Sequence, residues 1–349
     1  MKIRKAYSLI SYWEGESFCI VNYLTNRKIS TNILLITIID FAKEALTLQQ
    51  LQQKFNNIPD ISQIIESLLK HSILIKEGSL LDKKDKKLHT TWKWGIDAQY
   101  FHFATKDVSY TFNFPEIRRA FEEKSLSDPP PSPFKTSNES DKIPLQKGRF
   151  PKIDFWEVLY QRRTCRDFKM KPISKSVFSS FLFSVAGMTQ YYNSSILDKR
   201  IIKTSPSGGA RHPVEVYPVI QNVTGIPNGV YHYEVESNSL ALINSFPGQN
   251  VMAKLFSGQY WVKESAVMFF FTAVLPRSMW KYDHSRAYRV TLLDTGHIGQ
   301  TFHLAGTAFN LGVFTTAALQ DKLIEKVLKV DGISEIVLYA GAIGHPKSI

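Results

Sequence analysis

Residues 266–274 read AVMFFFTAV. A run this apolar and of strand length suits a central strand covered on both faces. It belongs to the longest apolar run of the chain, Ala266 to Leu275, which is far too short to span a membrane. Downstream, residues 288–311 carry a helical pattern that stops at Gly312, and Glu335 to Ala340 form a last strand. Upstream, Val214 to Leu242 is rich in strand formers, and Asn228-Gly229 between VIQNV and VYHYEV signals a hairpin. Two more helices are expected at 154–162 and 174–187. Strands interleaved with helices make this part of the chain α/β or α+β.

The first ninety residues read differently. TNILLITIIDFA (31–42) is a helix apolar at Ile33, Leu34, Ile36 and Ile38. Thr47 caps LQQLQQKF, whose Leu48, Leu51 and Phe55 share a face, and Asp60 caps a third helix striped by Ile61, Ile64, Ile65, Leu68 and Leu69. ILIKEGSLL then reads as two short strands around Glu77-Gly78. Three helices and a hairpin are the winged-helix order, which sets a module at 1–90 before a larger domain at 91–349. The third helix offers only Lys70 and His71 near its end, against Asp60 and Glu66. That is too little positive charge for a DNA-reading helix, so a module that docks a peptide or the rest of the chain fits better. Lys83-Lys84-Asp85-Lys86-Lys87 reads as a solvated wing or linker. Between 125 and 151, Pro129, Pro130, Pro131, Pro133, Pro144 and Pro151 mark a linker or a long wrapping loop of the larger domain.

Of the 349 residues, 44% are hydrophobic and 21% charged, which excludes wholesale disorder. The formal charge of +12 points toward an anionic ligand or partner. It is spread without a basic block, so nucleic-acid binding gains no support from it. Two cysteines, Cys19 and Cys165, build neither a disulfide framework nor a thiolate zinc site. A reduced, cytoplasmic protein without signal peptide, membrane span or metal is expected.

Four segments carry chemistry. Arg162, Arg163, Thr164 and Arg166 place three guanidinium forks and a hydroxyl at a helix end, a set suited to a phosphate monoester or, failing that, to a solvated helix terminus. Ser205-Pro-Ser-Gly-Gly-Ala-Arg-His-Pro213 leads into a strand. Its glycines let a backbone approach a ligand, but it has neither Walker nor dinucleotide spacing. Trp280 to Arg289 contains Lys281-Tyr282, two groups whose protons move if burial or neighbouring cations lower their pKa. The fourth is a helix with Asp294, Gly296, His297, Gly299, Gln300, His303 and Gly306. Its glycines point to close helix packing such as a subunit interface, and its histidines are six apart, the wrong spacing for a helical metal pair.

In this order, RRTCRDF, SPSGGARHPVEVYPV, GVYHYEVESNSL, RAYRVTLLDTGHIGQTFHLAGTAFNLG and the terminal AIGHP resemble the SagB/ThcOx-type dehydrogenases of the FMN-dependent nitroreductase superfamily, over roughly 150–346. WGIDAQYFHFATK at 94–106 is similar to the stretch that precedes the catalytic domain in that family. The resemblance implies an α+β fold, with a central mixed or antiparallel sheet flanked by helices, and a homodimer binding two FMN molecules at its interface. It places Arg162, Arg163, Thr164 and Arg166 on the FMN phosphate and ribityl chain. Ser207, Gly208, Gly209 and Arg211 would lie along the flavin, partly from the other subunit, with Gln300 in the interface helix. Thr316 and Ala317 would present backbone to the isoalloxazine edge, where the common nitroreductase pattern has an acidic residue and glycine instead.

In the branch that oxidises azolines in peptide natural products, a Lys-Tyr pair before an R-x-Y-R segment is the catalytic feature. Here Lys281-Tyr282 precedes Arg286-Ala-Tyr288-Arg289. Converting a thiazoline or oxazoline to its azole removes a proton and a hydride from adjacent ring carbons. FMN takes the hydride, Lys281 is the candidate base with Tyr282 positioning or relaying, and oxygen restores the flavin. The implied partners are a precursor peptide and a cyclodehydratase, with the N-terminal module as a leader-binding or docking element whose edge is the Glu77-Gly78 wing. Two other readings are an NAD(P)H-dependent flavin reductase of dehydroamino acids or small electrophiles, which has no need of the Lys-Tyr base, and a non-catalytic scaffold, which has no need of the arginines and the Ser-Gly-Gly loop.

Overall fold

The computed structural model describes residues 1–110, 112–137, 142–146, 148–192 and 200–347. By the density of internal contacts the chain divides into Met1–Ser109 and Tyr110–Ile349. The expected boundary at residue 90 falls inside a helix, Leu80–Thr91.

In the first unit, strands β1 (Lys2–Lys5), β2 (Leu9–Glu14), β3 (Ser17–Asn22) and β4 (Arg27–Ser30) precede helix α1 (Ile33–Phe41). Then come β5 (Leu46–Thr47), α2 (Leu48–Lys54), α3 (Ile61–Lys70), β6 (Leu74–Lys76), α4 (Leu80–Thr91) and α5 (Ile96–Ala104). One antiparallel sheet has the order β5-β1-β6 and a second is the meander β2-β3-β4. Ile3, Ile38, Leu51, Ile65, Leu68 and Leu74 form the core beneath. Thr47 caps α2 in a reciprocal capping box with Gln50, as its sequence predicts. Asp60 stands at the start of α3 but in the left-handed region, with no side-chain cap bond.

The winged-helix order is not found. After β6 the Glu77-Gly78 turn opens α4 instead of a second wing strand, and β1 from the chain's start lies between β5 and β6. The lysine run is therefore no wing. Asp82, Asp85 and Leu88 form the inward face of α4, three residues apart. Arg4 is buried between the two carboxylates, at 2.8 Å from Asp82 and 2.9 Å from Asp85. Burial alone would raise the Asp82 carboxyl; the Gly78 N–H, Lys86 and Arg4 hold it below its ordinary range. Asp85 also accepts from Tyr7 N, Ser8 N and Ser8 Oγ.

The second unit opens with α6 (Phe114–Ser127), β7 (Ile143–Pro144), α7 (Phe155–Gln161) and α8 (Lys175–Ala186). Strands β8 (Val214–Ile220), β9 (Gly229–Glu234) and β10 (Ser239–Ser245), helix α9 (Gln249–Leu255) and β11 (Val267–Val274) follow. The last elements are α10 (Leu275–Met279), α11 (Ala287–Ala308), β12 (Gly312–Thr316), α12 (Asp321–Leu328) and β13 (Glu335–Pro346). Among the described residues the main sheet runs β12-β13-β11-β8-β9-β10-β7, every neighbouring pair antiparallel. The central apolar strand is β11. Its Phe269 and Phe271 pack with Phe181 of α8 and Phe302 of α11, while Met268 and Phe270 pack with α9 and α12 on the other face. This is the two-sided burial that its sequence predicts.

The β8–β9 hairpin forms, but Ile220 pairs with Gly229 and residues 221–228 make the connection, so Asn228-Gly229 is not a two-residue turn. The proline segment wraps the sheet instead of linking domains. Lys135 pairs with Glu335, Ser137 N donates to Glu234 at 2.6 Å, Lys142 pairs with Glu234 at 2.8 Å, and β7 adds to β10. Two of the three helix glycines serve the chain's own fold. A side-chain carbon on Gly306 would lie 2.1 Å from Val313 of β12, and one on Gly299 would lie 2.8 Å from Tyr339 of β13. Gly296 faces open space.

Candidate active site

The Ser-Gly-Gly loop is a strained turn tied to α11. Gly209, Ala210 and His212 all have positive φ, at 64°, 54° and 45°, a conformation that costs the two side-chain-bearing residues about 1 kcal/mol or more each. Asp294 offsets that cost, accepting from Ser207 Oγ at 2.6 Å and from Gly208 N at 2.9 Å. Ser207 Oγ in turn accepts from His212 N. Ser205 Oγ donates to Val185 O and meets Thr301 Oγ1. Both serine hydroxyls are thus engaged within the protein. Burial raises the Asp294 carboxyl, against the opposing pull of those two bonds.

Lys281 and Tyr282 converge on this loop from the connection between α10 and α11. Lys281 Nζ donates to Gly209 O at 3.3 Å. A carbon placed on Gly209 would lie 2.2 Å from Tyr282 Oη and 2.6 Å from Lys281 Nζ, so only glycine leaves room for the pair. Beside them a cavity of about 300 Å³ is lined by Met279, Tyr282, Asp283, His284 and Tyr288 among others.

Below the loop lies a buried charge cluster whose roles the sequence does not announce. Arg277 pairs with Glu215 at 2.5 Å and donates to His212 O at 3.0 Å; His232 meets Glu215 at 2.8 Å. Burial opposes the Glu215 charge, but Arg277, His232 and Lys203 hold its pKa at about 2. Burial lowers Lys203 to about 8, with Glu215 pulling the other way. Burial and the nearby Lys203 charge keep His212 neutral, at about 4. Arg211, expected along a flavin, is buried, donates from Nε to Arg277 O at 2.8 Å and lies over the Trp280 ring.

The arginines of the first segment sit elsewhere. Cys165 N donates to Val313 O at 2.7 Å and Thr164 bridges Val313, which fixes the segment beside β12. Arg163, Thr164 and Arg166 line an open cleft of about 530 Å³ with Thr307, Asn310 and Gly312. Arg163 Nη1 also donates to Tyr160 O and Arg162 O at the end of α7. Arg166 lies over Trp261 and Phe314. Arg162 faces His303 of α11, which burial and this positive charge lower to about 4; His303 Nε2 meets Thr315 Oγ1 at 3.0 Å. Gln300 is exposed on α11, Thr316 Oγ1 accepts from Ala318 N, and Ala317 is exposed.

A family model described as Nitroreductase family matches residues 159–345, more than half of the chain and all of the segments just described. The chain belongs to the nitroreductase family. Among its relatives, MJ1384 of Methanocaldococcus jannaschii, a nitroreductase by name, is 28% identical over 54% of this chain and 91% of its own. The trifolitoxin-processing protein TfxB of Rhizobium leguminosarum bv. trifolii is 31% identical over 48% of this chain, and the match spans 46% of TfxB, less than half of that protein. A chain of the E. coli microcin synthetase McbBCD complex with truncated pro-MccB17 superposes with a TM-score of 0.44 at 18% identity, over 70% of this chain and 99% of that one. The loop, the Lys-Tyr pair and the arginine cleft all fall inside the region that the family model matches. Among the described residues no cluster of His, Cys, Asp and Glu is placed to hold a metal ion, and no helix is long and apolar enough to cross a membrane.

Proposed function

We propose that this nitroreductase is an FMN-dependent dehydrogenase of the SagB/ThcOx type that oxidises azoline rings of a ribosomally made peptide to azoles. The observation that carries the reading is the meeting of Lys281 and Tyr282 at Gly209, with Lys281 Nζ on its carbonyl oxygen, since a positioned base is what aromatisation requires and simple flavin reduction does not. The likeness to a trifolitoxin-processing protein supports a peptide substrate.

The arginine cleft fits the phosphate of a flavin. Arg163, Thr164 and Arg166 supply forks and a hydroxyl, and the one carboxylate lining it, Asp167, is paired with Lys347 at 3.0 Å. Bound FMN supplies hydride-acceptor chemistry, with oxygen as the final oxidant. Lys281 takes the ring proton while its Nζ stays hydrogen-bonded to Gly209 O. Tyr282, beside the same glycine, orients the ring and relays the proton. Asp294 keeps the loop in its strained form during that transfer.

The homodimer and the peptide-docking role of the first unit belong to the same reading. The outward face of α11 carries Leu292, Leu293, Gly296 and Gln300, an apolar stripe suited to a second copy. With no wing at Glu77-Gly78, the leader-binding edge moves to β4, the outer strand of its meander, which a peptide could extend as a further strand. Docking to a cyclodehydratase is the other use of that unit.

The test is anaerobic. Adding a synthetic thiazoline peptide should bleach the flavin spectrum, and the thiazole analogue should not. Bleaching by NAD(P)H alone, with no response to the peptide, would replace this reading with the reductase. Failure to bind FMN would leave the scaffold.

A further inference from the structure

Trp280, the residue before Lys281–Tyr282, is gripped from three directions. It is buried, and its indole Nε1 donates to Asp128 O at 2.7 Å. Its backbone carbonyl accepts from Lys124 Nζ at 2.7 Å. Phe121 stacks on the ring at 5.6 Å and 24°. The Lys124 ammonium and the Arg211 guanidinium lie over it at 5.2 and 5.4 Å. One residue thus joins α6 (Phe121, Lys124), the start of the proline segment (Asp128) and the Ser-Gly-Gly loop (Arg211). Arg277, three positions earlier, adds a parallel tie by donating to Ser132 O at 2.9 Å and His212 O at 3.0 Å.

Helix α6 is otherwise weakly anchored. None of its side chains is fully buried, and Leu126 is 89% exposed. Hydrophobic burial therefore does little to explain its position. Its half-buried face includes Phe121 and Lys124, the residues that meet Trp280. The Trp280 carbonyl also shares a rigid peptide plane with the Lys281 N–H. A cation bonded to that oxygen fixes the plane from which the Lys281 side chain departs, and a carbonyl just past the short helix α10 lacks an intrahelical donor of its own.

We infer that α6 and the proline segment clamp Trp280 so as to hold the Lys281–Tyr282 pair against Gly209, which makes Trp280 and Lys124 positioning residues for proton transfer. The inference rests on the role given to Lys281 and Tyr282 above.

Two variants test it in the full chain. Lys124→Met removes the donor from a side chain that is 40% exposed, so folding is not at stake. Trp280→Phe keeps a ring but loses the bond to Asp128. The first readout is acylation of Lys281 relative to exposed Lys254, followed by mass spectrometry on protein without flavin or peptide. The second is kcat and KM with a peptide bearing one thiazoline. We expect Lys281 labelling at least threefold faster, kcat at least fivefold lower and KM within twofold. Lys124→Arg, which keeps a donor in reach, should restore both values. Labelling within twofold of the parent in both variants overturns the clamp, whatever kcat does. Lys281→Ala separates the two ideas: full turnover in that variant sinks the assignment of the base, while labelling in the clamp variants still reports on the clamp.

Discussion

Replacing Gly209 by alanine should cost far more catalysis than stability. The added carbon sits at a φ of 64° and meets Tyr282 Oη at 2.2 Å, Lys281 Nζ at 2.6 Å and Lys281 Cδ at 3.2 Å. Ordinary contact needs about 3.5 Å, so the tyrosine oxygen must withdraw by more than about 1 Å and Lys281 Nζ by nearly as much. Both are ends of flexible side chains, so the backbone need not move. The stability loss is then mainly the left-handed alanine, about 1–2 kcal/mol, or a fall in Tm of about 2–8 °C for a unit of this size. Displacing a proton-transfer group by about 1 Å costs on the order of 100-fold in rate. The assay is anaerobic flavin bleaching by a thiazoline peptide, with FMN content and Tm measured on the same sample. A Gly209→Ala protein with parent-like FMN content and a bleaching rate within threefold of the parent would refute the convergence of the pair on this loop.

Asp294→Ala removes the acceptor for Ser207 Oγ and Gly208 N, and urea denaturation should show a loss of about 2–4 kcal/mol, with Asp294→Asn intermediate. His212 and His303, both lowered to about 4, stay neutral in the fold and take up protons only on unfolding. The stability they preserve above about pH 6.5 is lost as pH falls toward 4, by at most about 1.4 kcal/mol per pH unit for each; denaturant midpoints at pH 7, 5.5 and 4.5 measure it, and His303→Gln should flatten the slope. Arg4→Met leaves Asp85 buried without its cation and Asp82 with only Lys86 at 3.1 Å and should destabilise the first unit by about 3–5 kcal/mol, seen as earlier proteolysis of residues 1–109, whereas Lys86→Met, on a more exposed side chain, should cost less. Leu293→Glu places a charge on the outward face of α11, where Leu293 is 63% exposed; sedimentation should show loss of the proposed dimer together with loss of the FMN proposed to bind there.

What the sequence revealed and concealed follows from how each element is held. β11 was legible because a strand buried on both faces must be apolar throughout, and AVMFFFTAV is. The turn of β2–β3 is legible too: Glu14 pairs with Ser17 around Gly15 at a φ of 58°, a two-residue hairpin with glycine where the backbone requires it. α4 was hidden for a physical reason. Its inward face is Asp82, Asp85 and Leu88 because its partner is a buried arginine, so a search for apolar periodicity finds a lysine run and reads it as solvent-facing. The site divides in the same way. Arg163, Thr164 and Arg166 were legible as a cationic set and line one cleft. The contact of Lys281 with Gly209 spans 72 positions, and that of Lys124 with Trp280 spans 156. Only a folded sheet brings such residues together.

The geometry of α11 then constrains how the site works. Asp294, which holds the Ser-Gly-Gly loop, and Thr307, which lines the arginine cleft, lie thirteen positions apart on one helix, about 20 Å along its axis. Within one chain the loop met by the proposed proton-transfer pair and the cleft suited to a phosphate therefore touch α11 between three and four turns apart. The exposed residues Leu292, Leu293, Gly296 and Gln300 of α11 are where the homodimer proposed above would pair, and such a pairing would let a second copy contribute to the site. Under that proposal dimerisation would complete the site. The Leu293→Glu variant should therefore lose flavin and turnover together, where a merely destabilised monomer would lose them in proportion to its unfolding.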